Sequence, residues 1–71
     1  MIKYYRKSRR MNQVELANKA NLSLHELRQI ENNKTSPTLE QIIKLAYALE
    51  IDKYKLANEL IKNTYIFFDK V

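Results

Sequence analysis

The reading of this chain turns on residues 13–32: Gln13-Val14-Glu15-Leu16-Ala17-Asn18-Lys19-Ala20, then Asn21-Leu22-Ser23, then Leu24-His25-Glu26-Leu27-Arg28-Gln29-Ile30-Glu31-Asn32. The first block sets Val14, Leu16, Ala17 and Ala20 at helical spacing behind Asn12, a good N-cap. Ser23 caps the last block, and Glu26 three residues later completes a capping box, in which each side chain satisfies the other residue's free backbone N–H. Leu27 and Ile30 supply the inward face of that second helix. Only three residues join the two helices, and a connection this short forces them to cross at a steep angle.

Working outward, the spacing of Ile2 and Tyr5 predicts a first helix over about Ile2 to Arg9. Asn33 can adopt the left-handed conformation that ends a helix without glycine. Asn33 to Pro37 reads as a polar loop. Thr38 then caps a fourth helix, whose Leu39, Ile42, Ile43, Leu45, Ala46 and Leu49 form the broadest apolar stripe. Asp52 caps a fifth helix to about Lys62, with Leu56, Leu60 and Ile61 inward. The expected organisation is a domain over residues 1–62 and an apolar tail over residues 63–71. Within the tail, Tyr65-Ile66-Phe67-Phe68 is β-prone and suits a short strand, a further helical turn or an ordered tail.

Composition narrows the class. Seventy-one residues predict one small all-α domain, and the absence of glycine together with a single proline favours helices. There is no cysteine for a disulfide or thiolate zinc site, and one histidine cannot build a metal cage. Oligomerisation is then the expected support for so small a core. No apolar run nears the roughly 20 residues of a membrane span, and the basic start lacks a signal-peptide core, so a cytoplasmic location is the expectation. The net charge of +5 is placed unevenly: residues 1–37 hold eight basic and three acidic groups, residues 38–71 five of each. An excess confined to one half suits a polyanionic partner; the plain alternative is a solvated basic face.

Two short helices crossing steeply over a three-residue turn are the helix-turn-helix arrangement, in which the second helix enters the DNA major groove. At this point the chain resembles a known family. Asn12-Gln13-Val14-Glu15-Leu16-Ala17, Leu22-Ser23, Ile30-Glu31-Asn32-Asn33-Lys34 and Pro37-Thr38-Leu39 look like the Cro/repressor helix-turn-helix family, small phage repressors included. Several separate blocks match in order and spacing, over residues 2 to about 56. The resemblance implies a five-helix, lambda-repressor-like DNA-binding domain acting as a dimeric repressor on a pseudo-palindromic operator, with no cofactor.

Residue roles follow from the resemblance position by position. Leu24, His25 and Gln29 match positions that reach base edges, and Arg28 beside them suits either a base or a phosphate. Gln13 matches a glutamine that bonds a phosphate and helps fix the recognition helix. Asn12, Asn32, Asn33 and Lys34 match positions near the DNA backbone, and Ser23 joins this group. Arg6 and Glu31 match a structural salt bridge. The chemistry agrees for glutamine with adenine and arginine with guanine, whereas Leu24 could offer only apolar contact to a thymine methyl. The chain departs from the pattern at Arg10, Asn21, Asn33 and Glu50, where the family usually has glycine. The two asparagines tolerate positive φ; Arg10 and Glu50 tolerate it less, so those turns are expected to be built differently. Lys53 replaces a commonly apolar position, with Tyr54 expected to take over its packing.

Plainer readings stand beside these. Leu24 could be core, and His25 merely exposed. Lys7, Arg9 and Arg10 suit a phosphate-facing or solvated helix end, and Tyr4 and Tyr5 suit packing. The run Tyr65, Ile66, Phe67 and Phe68 either completes the core or forms a dimer interface, since an exposed run so apolar invites aggregation. A different class, a helical protein-interaction module of antirepressor or antitoxin-like type, would use that tail to bind a protein partner. An enzyme is the poorest fit: there is no phosphate loop and no carboxylate cluster. At this length a ligand-sensing domain is not expected.

Overall fold

A computed structural model of the protein describes residues 1–60. Five helices make up the described residues: α1 (Ile2–Ser8), α2 (Gln13–Lys19), α3 (Leu24–Glu31), α4 (Leu39–Leu49) and α5 (Lys53–Leu60). No strand occurs among them. The all-α, five-helix expectation is met, with helix ends one residue shorter than the spacing suggested at α1, α2 and α3. The expected boundary at residues 62 and 63, and the run Tyr65 to Phe68, lie outside the described residues.

Three helices start in the same way. Asn12, Ser23 and Thr38 each accept a bond from the backbone N–H three residues on, and Glu15, Glu26 and Gln41 each return a bond to the cap's own N–H. Asp52 likewise accepts from the N–H of Lys55 at 3.0 Å. These side chains satisfy donors that a helix start otherwise leaves open.

Helix ends are just as uniform, and here one expectation is corrected. Arg10 and Glu50 do not form a different kind of turn. They adopt φ of 57° and 56°, beside 55° and 57° at Asn21 and Asn33. Behind each, the next N–H reaches back five residues: Met11 to Arg6, Leu22 to Ala17, Lys34 to Gln29 and Ile51 to Ala46, at 2.8–3.2 Å. This is the Schellman closure, and an apolar residue following the left-handed position usually packs back on the helix. Met11, Leu22 and Ile51 all do so against the core. The closing bonds and this contact offset the Cβ crowding that a glycine would have avoided.

The core is built from Ile2, Leu16, Ala17, Ala20, Leu22, Leu27, Ile30, Ile42, Leu45, Ala46, Ala48, Leu49 and Leu56. α4 lies against both α2 and α5, α2 against α3, and α1 against α3. Part of the expected inner surface faces water instead. Val14 is exposed on α2, and on α4 the row Leu39, Ile43 and Tyr47 points away from the core, Leu39 at 68% and Tyr47 at 78% exposure. A helix buries the side facing its neighbours, and these residues sit four apart on the side that α2 and α5 leave open. Tyr54 is 74% exposed, so it does not take over the packing of the Lys53 position. Tyr5 instead ties the ends of the domain together: its hydroxyl donates to the Glu59 carboxylate at 2.7 and 3.0 Å, joining α1 to α5.

Candidate nucleic-acid interface

Leu27 and Ile30 seat α3 in the core, and other side chains of the helix divide into two rows. Leu24, Arg28 and Glu31 recur at helical spacing and lie on the side of α2. His25 and Gln29, four apart, lie on the side of the α3–α4 connection, where they line a cleft of about 290 Å³ with Glu26, Thr35, Ser36, Thr38 and Gln41. His25 and Arg28 are exposed, and Leu24 and Gln29 are half-buried. Leu24 is therefore neither fully core nor fully open.

The α2 side is held by a connected set of polar groups. Arg6 is 7% exposed, and the Glu31 side chain it meets is 1% exposed. Arg6 Nε donates to Glu31 Oε2 at 2.7 Å and Nη2 to Oε1 at 3.1 Å, a two-pronged pair, while Nη1 donates to the Met11 carbonyl at 3.1 Å. Gln13 Nε2 adds a bond to Glu31 Oε1 at 3.1 Å, and Arg28 Nε donates to Gln13 Oε1 at 3.3 Å. Fork-to-fork contact between guanidinium and carboxylate fixes orientation as well as distance. Through these bonds α1 and the first residue of α2 set the roll of α3 about its axis.

The opposite side is fixed by the capping box expected at Ser23 and Glu26 and by one contact that the sequence reading missed, from Gln41. Glu26 accepts from the Ser23 N–H at 2.9 Å through Oε1, and Oε2 accepts from Gln41 Nε2 at 3.2 Å. The bond from the Ser23 backbone, helped by the Ser23 hydroxyl and Gln41, holds the Glu26 carboxyl below its ordinary value. It therefore stays ionised and occupied in bridging α3 to α4. The signal was present, since Thr38-x-x-Gln41 is a capping-box pattern, but nothing local shows that the amide also reaches back to α3.

The residues expected near a DNA backbone fall around this surface. Asn12 and Ser23 use their side-chain oxygens as caps, accepting at 2.8 and 3.0 Å from Glu15 and Glu26. Asn32, Asn33 and Lys34 form the exposed C-terminal turn of α3. Gln13 lies half-buried at the α2–α3 crossing. Among the described residues there is no cluster of metal-binding side chains, and no helix is long and apolar enough to cross a membrane.

Two closely spaced helices with the second held by its flanks define the helix-turn-helix class. A profile of the family described as helix-turn-helix matches residues 2–56, and the chain belongs to that family. It is 41% identical over 58 residues to the immunity repressor protein of Bacillus phage phi105. That match covers 82% of the chain, which spans about 40% of the length of this relative. No solved structure matches the chain.

Proposed function

We propose that this chain is a sequence-specific double-stranded DNA-binding repressor that acts as a dimer on a pseudo-palindromic operator. The observation that carries the reading is the outer surface of α3, gripped by polar contacts on both flanks yet leaving the side chains of exposed His25 and half-buried Gln29 along a cleft without a hydrogen bond of their own among the described residues. A rigid helix with a few unspent side chains is what direct base readout requires. Leu24, His25 and Gln29 meet base edges. Asn12, Gln13, Ser23, Asn32, Asn33 and Lys34 meet sugar and phosphate, contacts that position the helix rather than carry sequence information, and the Lys and Arg contacts supply salt-sensitive affinity. The basic excess in residues 1–37 supports this orientation. Similarity to a phage immunity repressor supports repression as the outcome. A regulator of this type works in the cytoplasm.

Dimerisation is supported by the row Leu39, Ile43 and Tyr47 with Tyr54 beside it, an exposed apolar face on the α4–α5 side. Two protomers would set their α3 helices about 34 Å apart, one helical turn of DNA. The same face favours the second reading, a module that docks an apolar protein partner. Sedimentation of the chain and of an Ile43→Lys variant separates them: a dimer that the variant abolishes supports the first, and a monomer in both overturns it.

The DNA reading is tested by selecting duplexes from a random library and measuring anisotropy at moderate salt. Gln29→Ala should relax the preference at one base pair, with a cost of about 1–3 kcal/mol there. Gln13→Ala should weaken all sequences alike. Absence of any preferred sequence, or identical behaviour of the two variants, would overturn the assignment.

A further inference from the structure

We infer that Arg28 is a positioning and phosphate-gripping residue paired with Gln13, and not a reader of bases; this rests on the DNA-binding reading above. The first support is its place on α3. Arg28 lies on the α2 side of α3, where it reaches Gln13, while His25 and Gln29 occupy the row along the cleft toward α4. An arginine that reads guanine presents its fork to O6 and N7 from within the groove. Here Nε is turned toward α2 and donates to Gln13 Oε1 at 3.3 Å, which holds the guanidinium on that side and away from the cleft lined by His25 and Gln29.

The second support is the orientation of the Gln13 carboxamide. Its Nε2 donates to Glu31 Oε1 at 3.1 Å, and that carboxylate also takes both prongs of Arg6. Turning the amide over would set its oxygen against the Glu31 carboxylate and its NH2 against the Arg28 guanidinium. Both contacts would become repulsive, so Arg28 and Glu31 jointly dictate one orientation. In that orientation the second Nε2 proton of Gln13 and the two Nη groups of Arg28 take no partner among the described residues. These donors lie side by side at the α2–α3 crossing, beside a net surplus of positive charge from two arginines and one glutamate. Donors so arranged suit the oxygens of a single backbone phosphate, with planar recognition from the guanidinium and a point contact from the amide. The pairing also couples register to readout, because a phosphate held there fixes how far α3 enters the groove.

The test uses Arg28→Ala, Arg28→Lys, Gln13→Ala and the double alanine variant, all at exposed or half-buried sites away from the core. With duplexes selected by the wild-type chain, Arg28→Ala should lower affinity about tenfold or more. The loss should be the same for every sequence, with the salt slope reduced by about one. The double variant should be no more than about twofold weaker than the poorer single, since the residues act as one unit. Arg28→Lys should retain most of the salt slope while leaving Gln13 mis-set. In the free protein, the Gln13 side-chain NH2 resonances should move in both Arg28 variants. A changed preference at one base pair with an unchanged salt slope would overturn the inference. So would fully additive losses, or Gln13 resonances that ignore Arg28. If the wild-type chain binds no duplex selectively, the DNA reading fails, and the resonance measurement still decides whether the pair exists.

Discussion

At the residue scale the most consequential contact is between Arg6 and Glu31, an ion pair almost closed to water. Burying two charges gains little net stability, but removing one leaves the other uncompensated. Glu31→Ala should cost about 3–5 kcal/mol, a large share of the roughly 5–15 kcal/mol that holds a typical domain. Urea denaturation checks this, and a double change to apolar residues at positions 6 and 31 should recover much of the loss. The Glu40–Lys44 pair makes the contrast. At 3.9 Å with an exposed glutamate, it should change stability by less than about 1 kcal/mol in Glu40→Gln. Glu50 offers the opposite sign. Its φ of 56° crowds its Cβ, so Glu50→Gly should raise stability by about 0.5–1 kcal/mol, the relief of crowding being partly offset by glycine's greater freedom when unfolded.

At the scale of elements, each of α2, α3 and α4 is defined at both ends by local chemistry: a reciprocal cap at the start and a left-handed closure at the finish. Ser23→Ala removes the cap of α3 and should cost about 1 kcal/mol. The cap also carries a pH signature. Bonds from the Ser23 backbone, the Ser23 hydroxyl and Gln41 depress the folded-state pKa of Glu26, so its contribution is complete above the ordinary glutamate value. It is lost as pH falls through the lower folded value. Melting temperature should therefore fall less steeply between pH 5 and about pH 3 in Glu26→Gln than in the wild-type chain; parallel curves would refute this. Tyr5 acts in the other direction. Its bond to Glu59 raises its pKa, so the α1–α5 tie holds below the ordinary tyrosine value and is lost as pH climbs through the raised one.

At the scale of the molecule, a few leucines carry the packing. Leu16, Leu27, Leu45, Leu49 and Leu56 are fully buried where α2, α3, α4 and α5 meet. Leu45→Ala should cost about 2–5 kcal/mol, read by thermal or urea unfolding, because the surrounding helices can close a cavity only in part. Charge and apolar surface then fall on different regions. The basic excess belongs to residues 1–37, and the exposed apolar row belongs to α4 with Tyr54 beside it. Lowering salt should therefore strengthen DNA binding steeply while leaving association through the apolar face little changed. Sedimentation and anisotropy over one salt series would separate the two.

The sequence by itself determined the helices and their order, because caps, apolar period and turn residues all act within a few positions of one another. It also pointed to the Arg6–Glu31 pairing through resemblance. Tertiary structure decided which apolar residues are core, since burial depends on where neighbours lie: Leu39, Ile43 and Tyr47 match the helical period as well as Ile42 and Leu45 do, yet face water. It decided that Arg10 and Glu50 take the left-handed turn despite their side chains, because distant core contacts at Met11 and Ile51 complete the closure. For the helix of residues 24–31, sequence supplied the outward side chains. Only the approach of α2 and α4 sorted them into a braced row and an open one, because a hydrogen bond between residues 15 apart, such as Arg28 to Gln13 or Gln41 to Glu26, leaves no trace in local spacing.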